Sequence, residues 1–152
     1  MSGDRRGAVE TATRSERFAG LMAEAMAAAE RFGHRQHVHL AWLAVRSHGT
    51  AAAVELVGEG IRGAALAAGA PEKYHATMTR AWVELVGRHA SRAEGGLDGG
   101  ADFDAFVDRH PELLDKTLPD RFYRTATLES AEARAAWVEP DLRPFPRQRA
   151  DG

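Results

Sequence analysis

The chain of 152 residues contains no cysteine. That absence excludes disulfides, thiolate metal ligands, cysteine nucleophiles and thiol redox chemistry together, and it fits a reducing cytoplasm, the expected location. Long apolar runs are missing too. No window approaches 18 uninterrupted apolar residues, so no membrane-spanning helix and no membrane partner are expected. The opening "MSGDRRGAVETATRSERF" carries arginines without an apolar segment behind them, because Glu24 interrupts "LMAEAMAAAE", and a signal peptide is not expected. Nor does one sign of charge dominate. The 20 Lys plus Arg stand against 22 Asp plus Glu, for a net charge of −2, which offers nucleic acid no general attraction. Strand-like alternation is absent throughout. No Gly-x-Ser-x-Gly, Walker A or Gly-x-Gly-x-x-Gly run opens a helix after a strand, which removes the hydrolase, NTPase and dinucleotide-binding readings.

What remains is helical. Ala, Arg and Gly replace most Lys, Ile and Asn, a bias typical of high-GC genomes such as those of actinobacteria. Residues 1–14 are polar and aperiodic and are expected to be flexible. Ser15 is read as the cap of a first helix running to Gly33, with Phe18, Leu21, Met22, Ala25 and Met26 as its apolar stripe. A second helix spans His34 to His48 and stops at Gly49. Thr50 is expected to cap a third, weakened by Gly58, Gly60 and Gly63, whose glycines suggest close helix packing. Pro71 is expected to open a fourth helix over 71–92.

A Gly/Asp-rich linker over 93–101 follows. Beyond it, Pro111 breaks or restarts short helices in "DFDAFVDRHPELLDKTL", Ser130 caps a last one, and the proline-rich end is extended, with a flexible tail at 147–152. The expected class is all-α: one domain over 15–146, an irregular bundle of about five or six helices.

The chemistry concentrates in histidine. In "FGHRQHVHLAW" three histidines fall within six positions. At about 100° per residue, His34 and His37 share a face with Val38, Ala41, Ala44 and Val45, while His39 points away with Arg35 and Arg46. The fourth helix groups His75, Met78, Thr79, Trp82, Leu85, Val86 and His89, with Lys73, Thr77, Arg80, Glu84 and Arg88 opposite. If the two faces pack together, His34, His37, His75 and Thr79 meet near one end. A buried imidazole needs a partner, a water or a ligand, and a small cavity is the simplest way for a core to accept several.

The four blocks "FGHRQHVHLAW", "GAPEKYHATMTRAWVELV", "FVDRHPELLDKTLPDRFY" and "LESAEARAAWVEPDLRPFP" resemble, over about residues 32 to 146, a small, largely uncharacterised family of bacterial helical proteins. The family pattern is Phe-x-His-x-x-His-x-x-x-Ala-Trp, then Lys-Tyr-His-x-Thr-x-Thr-x-Ala-Trp, then a Pro-Glu-Leu-Leu-Asp block, a Tyr and a terminal Pro-Asp-Leu-x-Pro. The matching positions are His34, His37, Trp42, Lys73, Tyr74, His75, Thr77, Thr79, Trp82, Asp115 and Tyr123. Gly33 departs from the threonine expected there, and Phe122 from a tyrosine or histidine. The resemblance implies a place among natural-product biosynthesis genes, hence an enzyme or accessory subunit acting on a small metabolite.

Three functional readings follow. The first is a metal-free, non-redox enzyme or enzyme subunit with no cofactor. In it His37 and His75 move protons or donate hydrogen bonds. His34, Lys73, Tyr74, Thr79 and Tyr123 position an anionic substrate, and Trp42 and Trp82 form walls. Such a site supports elimination or an intramolecular ring closure by stabilising the departing anion. The second is a non-catalytic scaffold for a partner enzyme, the Ala-rich face of helix one meeting that subunit or a second copy. The third is a metal protein with His34, His37 and His75 as ligands, disfavoured because no Glu-x-x-His signature accompanies them.

Overall fold

A computed structural model describes residues 2–27, 29–92 and 103–146. Among these the fold is entirely helical: α1 (Ser2–Ala25), α2 (His34–His48), α3 (Thr50–Ala67), α4 (Ala76–Arg92), α5 (Phe103–Arg109), α6 (Thr125–Leu128) and α7 (Ala131–Ala135), with 3-10 turns at Pro71–Lys73, Pro111–Leu114 and Leu118–Arg121. The all-α expectation holds, with short α6 and α7 raising the helix number. The linker at 93–101 and the tail at 147–152 lie outside the described residues. None of the described helices is long and apolar enough to cross a membrane.

The central element is α2, packed against α1, α3 and α4. Its buried residues are Val38 and the unbroken run Leu40, Ala41, Trp42, Leu43 and Ala44, so it buries most of its circumference, as a helix enclosed on three sides must. One apolar core runs through the bundle, from Ala25 of α1 to Phe145 near the C-terminal end. Gly49 both closes α2 and opens α3. Its N–H donates to the Val45 carbonyl at 2.8 Å and its carbonyl accepts from Ala53 N–H at 2.9 Å, at φ +86°, a conformation that glycine adopts without strain.

Close helix packing holds for one of the three α3 glycines. A Cβ on Gly60 would sit 2.2 Å from the Phe18 ring, whereas Gly58 and Gly63 face open space. Sequence alone did not single out Gly87 of α4, yet a Cβ there would lie 2.3 Å from Thr50 Oγ1. Thr50 is thus the first residue of α3, packed on α4, and Gly49 rather than Thr50 is the N-cap.

Two boundaries differ from expectation. Helix α1 begins at Ser2, not Ser15, and ends at Ala25, not at Gly33. The Arg, Ala and Glu of residues 2–14 extend it by helix propensity ahead of the apolar stripe, while the Ala-rich end yields to the turn that delivers Phe32 and Gly33 to α2. Helix α4 begins at Ala76, five residues after Pro71, because Pro71 opens only a 3-10 turn and Tyr74 is extended.

The C-terminal stretch is extended, as expected, but it is strapped to the core. The fully buried Thr77 donates from Oγ1 to the Ala136 carbonyl at 2.8 Å and accepts from Val138 N–H at 3.1 Å. Tyr123 OH donates to the Val138 carbonyl at 2.7 Å, and Leu142 N–H to the Phe122 carbonyl at 2.9 Å. Asp141 accepts from Arg124 N–H and from Thr127 Oγ1, and Phe145 is buried beside Phe122 and Tyr123.

Candidate functional site

The nine residues singled out from sequence do not meet in one place. His34, His37 and Trp82 stand at the start of α2. The first-turn amides of α2 receive no side-chain cap, because its N-cap is Gly33. Gln36 Oε1 instead reaches back to accept from Gly33 N–H at 3.0 Å, half of the reciprocal capping arrangement. His34 donates from Nε2 to the Leu113 carbonyl at 2.9 Å, and its ring meets Trp82 edge-on at 4.5 Å. That pair carries the expected approach of α2 and α4.

One turn further in, the His37 ring leans back toward Phe32, 5.9 Å away, the contact between the residue before the cap and the fourth helical position. His37 is half-buried as a residue, but its Nε2 is shut off from solvent and finds no hydrogen-bond partner among the described residues. Burial, and secondarily the neighbouring His34, lower its pKa to about 4, so the ring is neutral at pH 7. Burial also lowers His34, aided by Lys116 and opposed by the Leu113 hydrogen bond and Asp115.

His75 does different work. It precedes α4, and its Nδ1 accepts from Met78 N–H at 3.1 Å while its Nε2 donates to the Leu128 carbonyl at 2.7 Å. An imidazole here takes the place of the usual Ser or Asp cap, and the second bond ties α4 to α6. Both ring nitrogens are engaged, which fixes the tautomer. Thr79 is buried in the next turn, its N–H donating to the His75 carbonyl at 3.0 Å.

The remaining candidates lie elsewhere. Tyr74 lines an open groove of about 580 Å³ with Arg62, Glu72 and Arg134, and the neighbouring Lys73 is exposed. Tyr74 is the one predicted site residue in that groove; the histidines do not line it. Trp42 is a core anchor, packed on Phe103 and Phe106 at 5.6 and 5.9 Å with Arg46 over its ring. Tyr123 belongs to the strap, and burial, reinforced by Glu139, raises its phenol pKa. Asp115 is a turn residue whose Oδ1 accepts from Thr117 N–H and Oγ1. His39, expected to point outward, stacks flat on Phe103 at 4.2 Å, because α5 covers that side of α2.

A second histidine cluster was not anticipated. His89, near the end of α4, is buried, with Nδ1 donating to the Leu85 carbonyl at 2.8 Å and Nε2 facing Glu112 Oε2 at 2.9 Å. The His110 ring stands 5.1 Å from that of His89, nearly perpendicular. Glu112 is pushed up by burial but held below the usual carboxylate range by its own backbone N–H and by His89. Sequence placed His89 on the buried face of its helix. For Glu112 and His110 the His110-Pro111-Glu112 spacing was the available signal.

Comparison with family models, with curated proteins and with solved structures finds no match. Function is therefore argued from this geometry.

Proposed function

We propose that the start of α2 is a binding pocket for a small anionic metabolite, and that the chain is a non-redox enzyme or enzyme subunit acting there. One observation carries the reading: a buried, neutral imidazole nitrogen of His37 without a partner among the described residues, behind a helix start without a side-chain cap. Leaving a buried polar atom unpaired costs about 1–3 kcal/mol, a penalty that a ligand hydrogen bond removes. The free first-turn amides attract negative charge, and Lys116, close enough to bias His34, adds a cation.

In this reading His37 donates a hydrogen bond to the substrate or accepts one, and Trp82 and His34 form one wall. With its pKa at about 4, His37 stays neutral and suits hydrogen-bond stabilisation of a departing anion better than full proton abstraction at pH 7. Elimination or ring closure with loss of an anionic group needs that kind of help. His75 positions α4 rather than meeting substrate, and Tyr74 with Lys73 offers a separate polar surface.

Titration with inorganic sulfate or phosphate, followed through the histidine ring resonances, tests the pocket. Selective shifts of His34 and His37 that disappear in His37→Leu support it. Shifts confined to surface residues, or none, overturn it.

The ring nitrogens of His34, His75 and His89 committed to backbone carbonyls favour a second reading, a non-catalytic subunit that stabilises a partner enzyme. Co-expression with products of neighbouring genes separates the two, since that reading requires a partner that is insoluble alone and rescued by a His37→Leu chain as well as by the native one.

A further inference from the structure

We infer that His89, His110 and Glu112 form a binding site for a zinc-class divalent cation, independent of the α2 pocket. Hydrogen-bond direction fixes the tautomer of His89. A carbonyl only accepts, so the Leu85 carbonyl at 2.8 Å requires the proton of His89 on Nδ1. The lone pair of a neutral His89 then lies on Nε2, and what faces it at 2.9 Å is the carboxylate of Glu112. Two electron-pair donors in that position need a cation between them, either a proton or a metal ion.

A third donor decides for the metal. One ring nitrogen of His110 joins His89 Nε2 and a Glu112 oxygen so that all three lie within 4.8 Å of one another, which a simple imidazolium–carboxylate pair does not require. Metal bonds of about 2.0–2.2 Å set neighbouring tetrahedral ligand atoms about 3.3–3.6 Å apart, so the 2.9 Å His89–Glu112 edge opens by about half an ångström to admit the ion. The Leu85 carbonyl supplies the outer hydrogen bond that orients a ligating imidazole and fixes its tautomer. Phe106, 5.1 Å from the His110 ring, packs the second ligand in place.

The donor set is two imidazole nitrogens and one carboxylate oxygen. It suits Zn2+ or Co2+ over Mg2+ and Ca2+, which prefer all-oxygen shells. Three protein ligands leave one tetrahedral position for water or a small ligand. The cation would join the end of α4 to the turn after α5 and displace the proton held between His89 and Glu112.

The test uses the full chain, purified without a histidine tag and stripped with a chelator. Titration with CoCl2 is followed by visible absorption, and ZnCl2 is then used to displace the cobalt. The expected result is one equivalent of Co2+ with the intense d–d bands of a four-coordinate site, displaced by Zn2+ and not by Mg2+. Glu112→Gln and His110→Ala weaken binding at least tenfold, while His48→Ala leaves it unchanged. Glu112 is half-buried, so the Gln variant is expected to fold, which circular dichroism verifies. Weak octahedral-type absorption, no saturation near one equivalent, or binding that survives both substitutions and is lost in His37→Leu overturns the assignment.

Discussion

Replacing His37 by Leu separates stability from function at one position. The native ring nitrogen is buried and unpaired. A leucine of similar volume removes the unpaired polar atom and keeps the packing, so at pH 7.5 the variant is expected to be more stable by about 1 kcal/mol. The pH dependence sharpens this. Burial lowers the His37 pKa from 6.5 to about 4, so between those values the unfolded chain takes up a proton that the folded chain refuses. Stability from this group is complete above about pH 6.5 and falls as pH drops toward 4, where the total loss reaches about 3 kcal/mol. At pH 5.0 the native chain has lost about 2 kcal/mol through His37 alone. His34 and His39 are lowered in the same direction, but they are present in both proteins and largely cancel in the comparison. Urea unfolding at pH 7.5 and 5.0 therefore shows the variant's advantage growing from about 1 to about 3 kcal/mol. An advantage that stays constant between the two pH values refutes the burial argument, and a variant less stable at pH 7.5 shows that His37 has a protein partner after all.

Other substitutions follow from the same geometry. His75→Ala removes both the α4 cap and the Leu128 tie and is expected to cost about 2 kcal/mol, of which His75→Asn recovers about half by restoring the cap alone, read by thermal unfolding. Thr77→Val removes the buried hydroxyl that pairs the Ala136 carbonyl and the Val138 N–H and costs about 1–2 kcal/mol, with hydrogen exchange accelerating selectively over 136–146. Gly60→Ala drives a methyl into the Phe18 ring and destabilises by about 1–2 kcal/mol, whereas Gly63→Ala faces open space and gains up to about 1 kcal/mol of helix propensity, as denaturant midpoints compare directly.

How legible this fold was depended on where the deciding interaction lay. Helix α2 could be delimited from residues alone because Gly33 and Gly49 bracket an apolar-periodic run, and the Ser130 cap of α7, whose Oγ accepts from Ala133 N–H, is equally local. The start of α4 was misjudged because Pro71 is a strong first-turn signal, whereas the cap in use is an imidazole held by a carbonyl 53 residues away. The projected approach of α2 and α4 holds where His34 meets Trp82, whereas His39 and Thr77, projected onto the outer faces, are covered by α5 and by the C-terminal strap. Periodicity does not reveal which carbonyl or carboxylate a buried imidazole will find. His34 finds Leu113, His75 finds Leu128 and His89 finds Glu112, each through chain segments whose placement depends on the whole bundle. For the same reason Trp42, expected as a pocket wall, and Tyr123, expected to position substrate, serve the core and the C-terminal strap.

The most direct measurement is a histidine-ring NMR titration of the full chain, with the His37 resonances assigned by their absence in His37→Leu. A midpoint near 4 for His37, rising or broadening selectively when sulfate or phosphate is added, is the predicted result. A His37 midpoint near the ordinary 6.5, unmoved by either anion, would contradict the buried, unpartnered imidazole on which the proposed pocket rests.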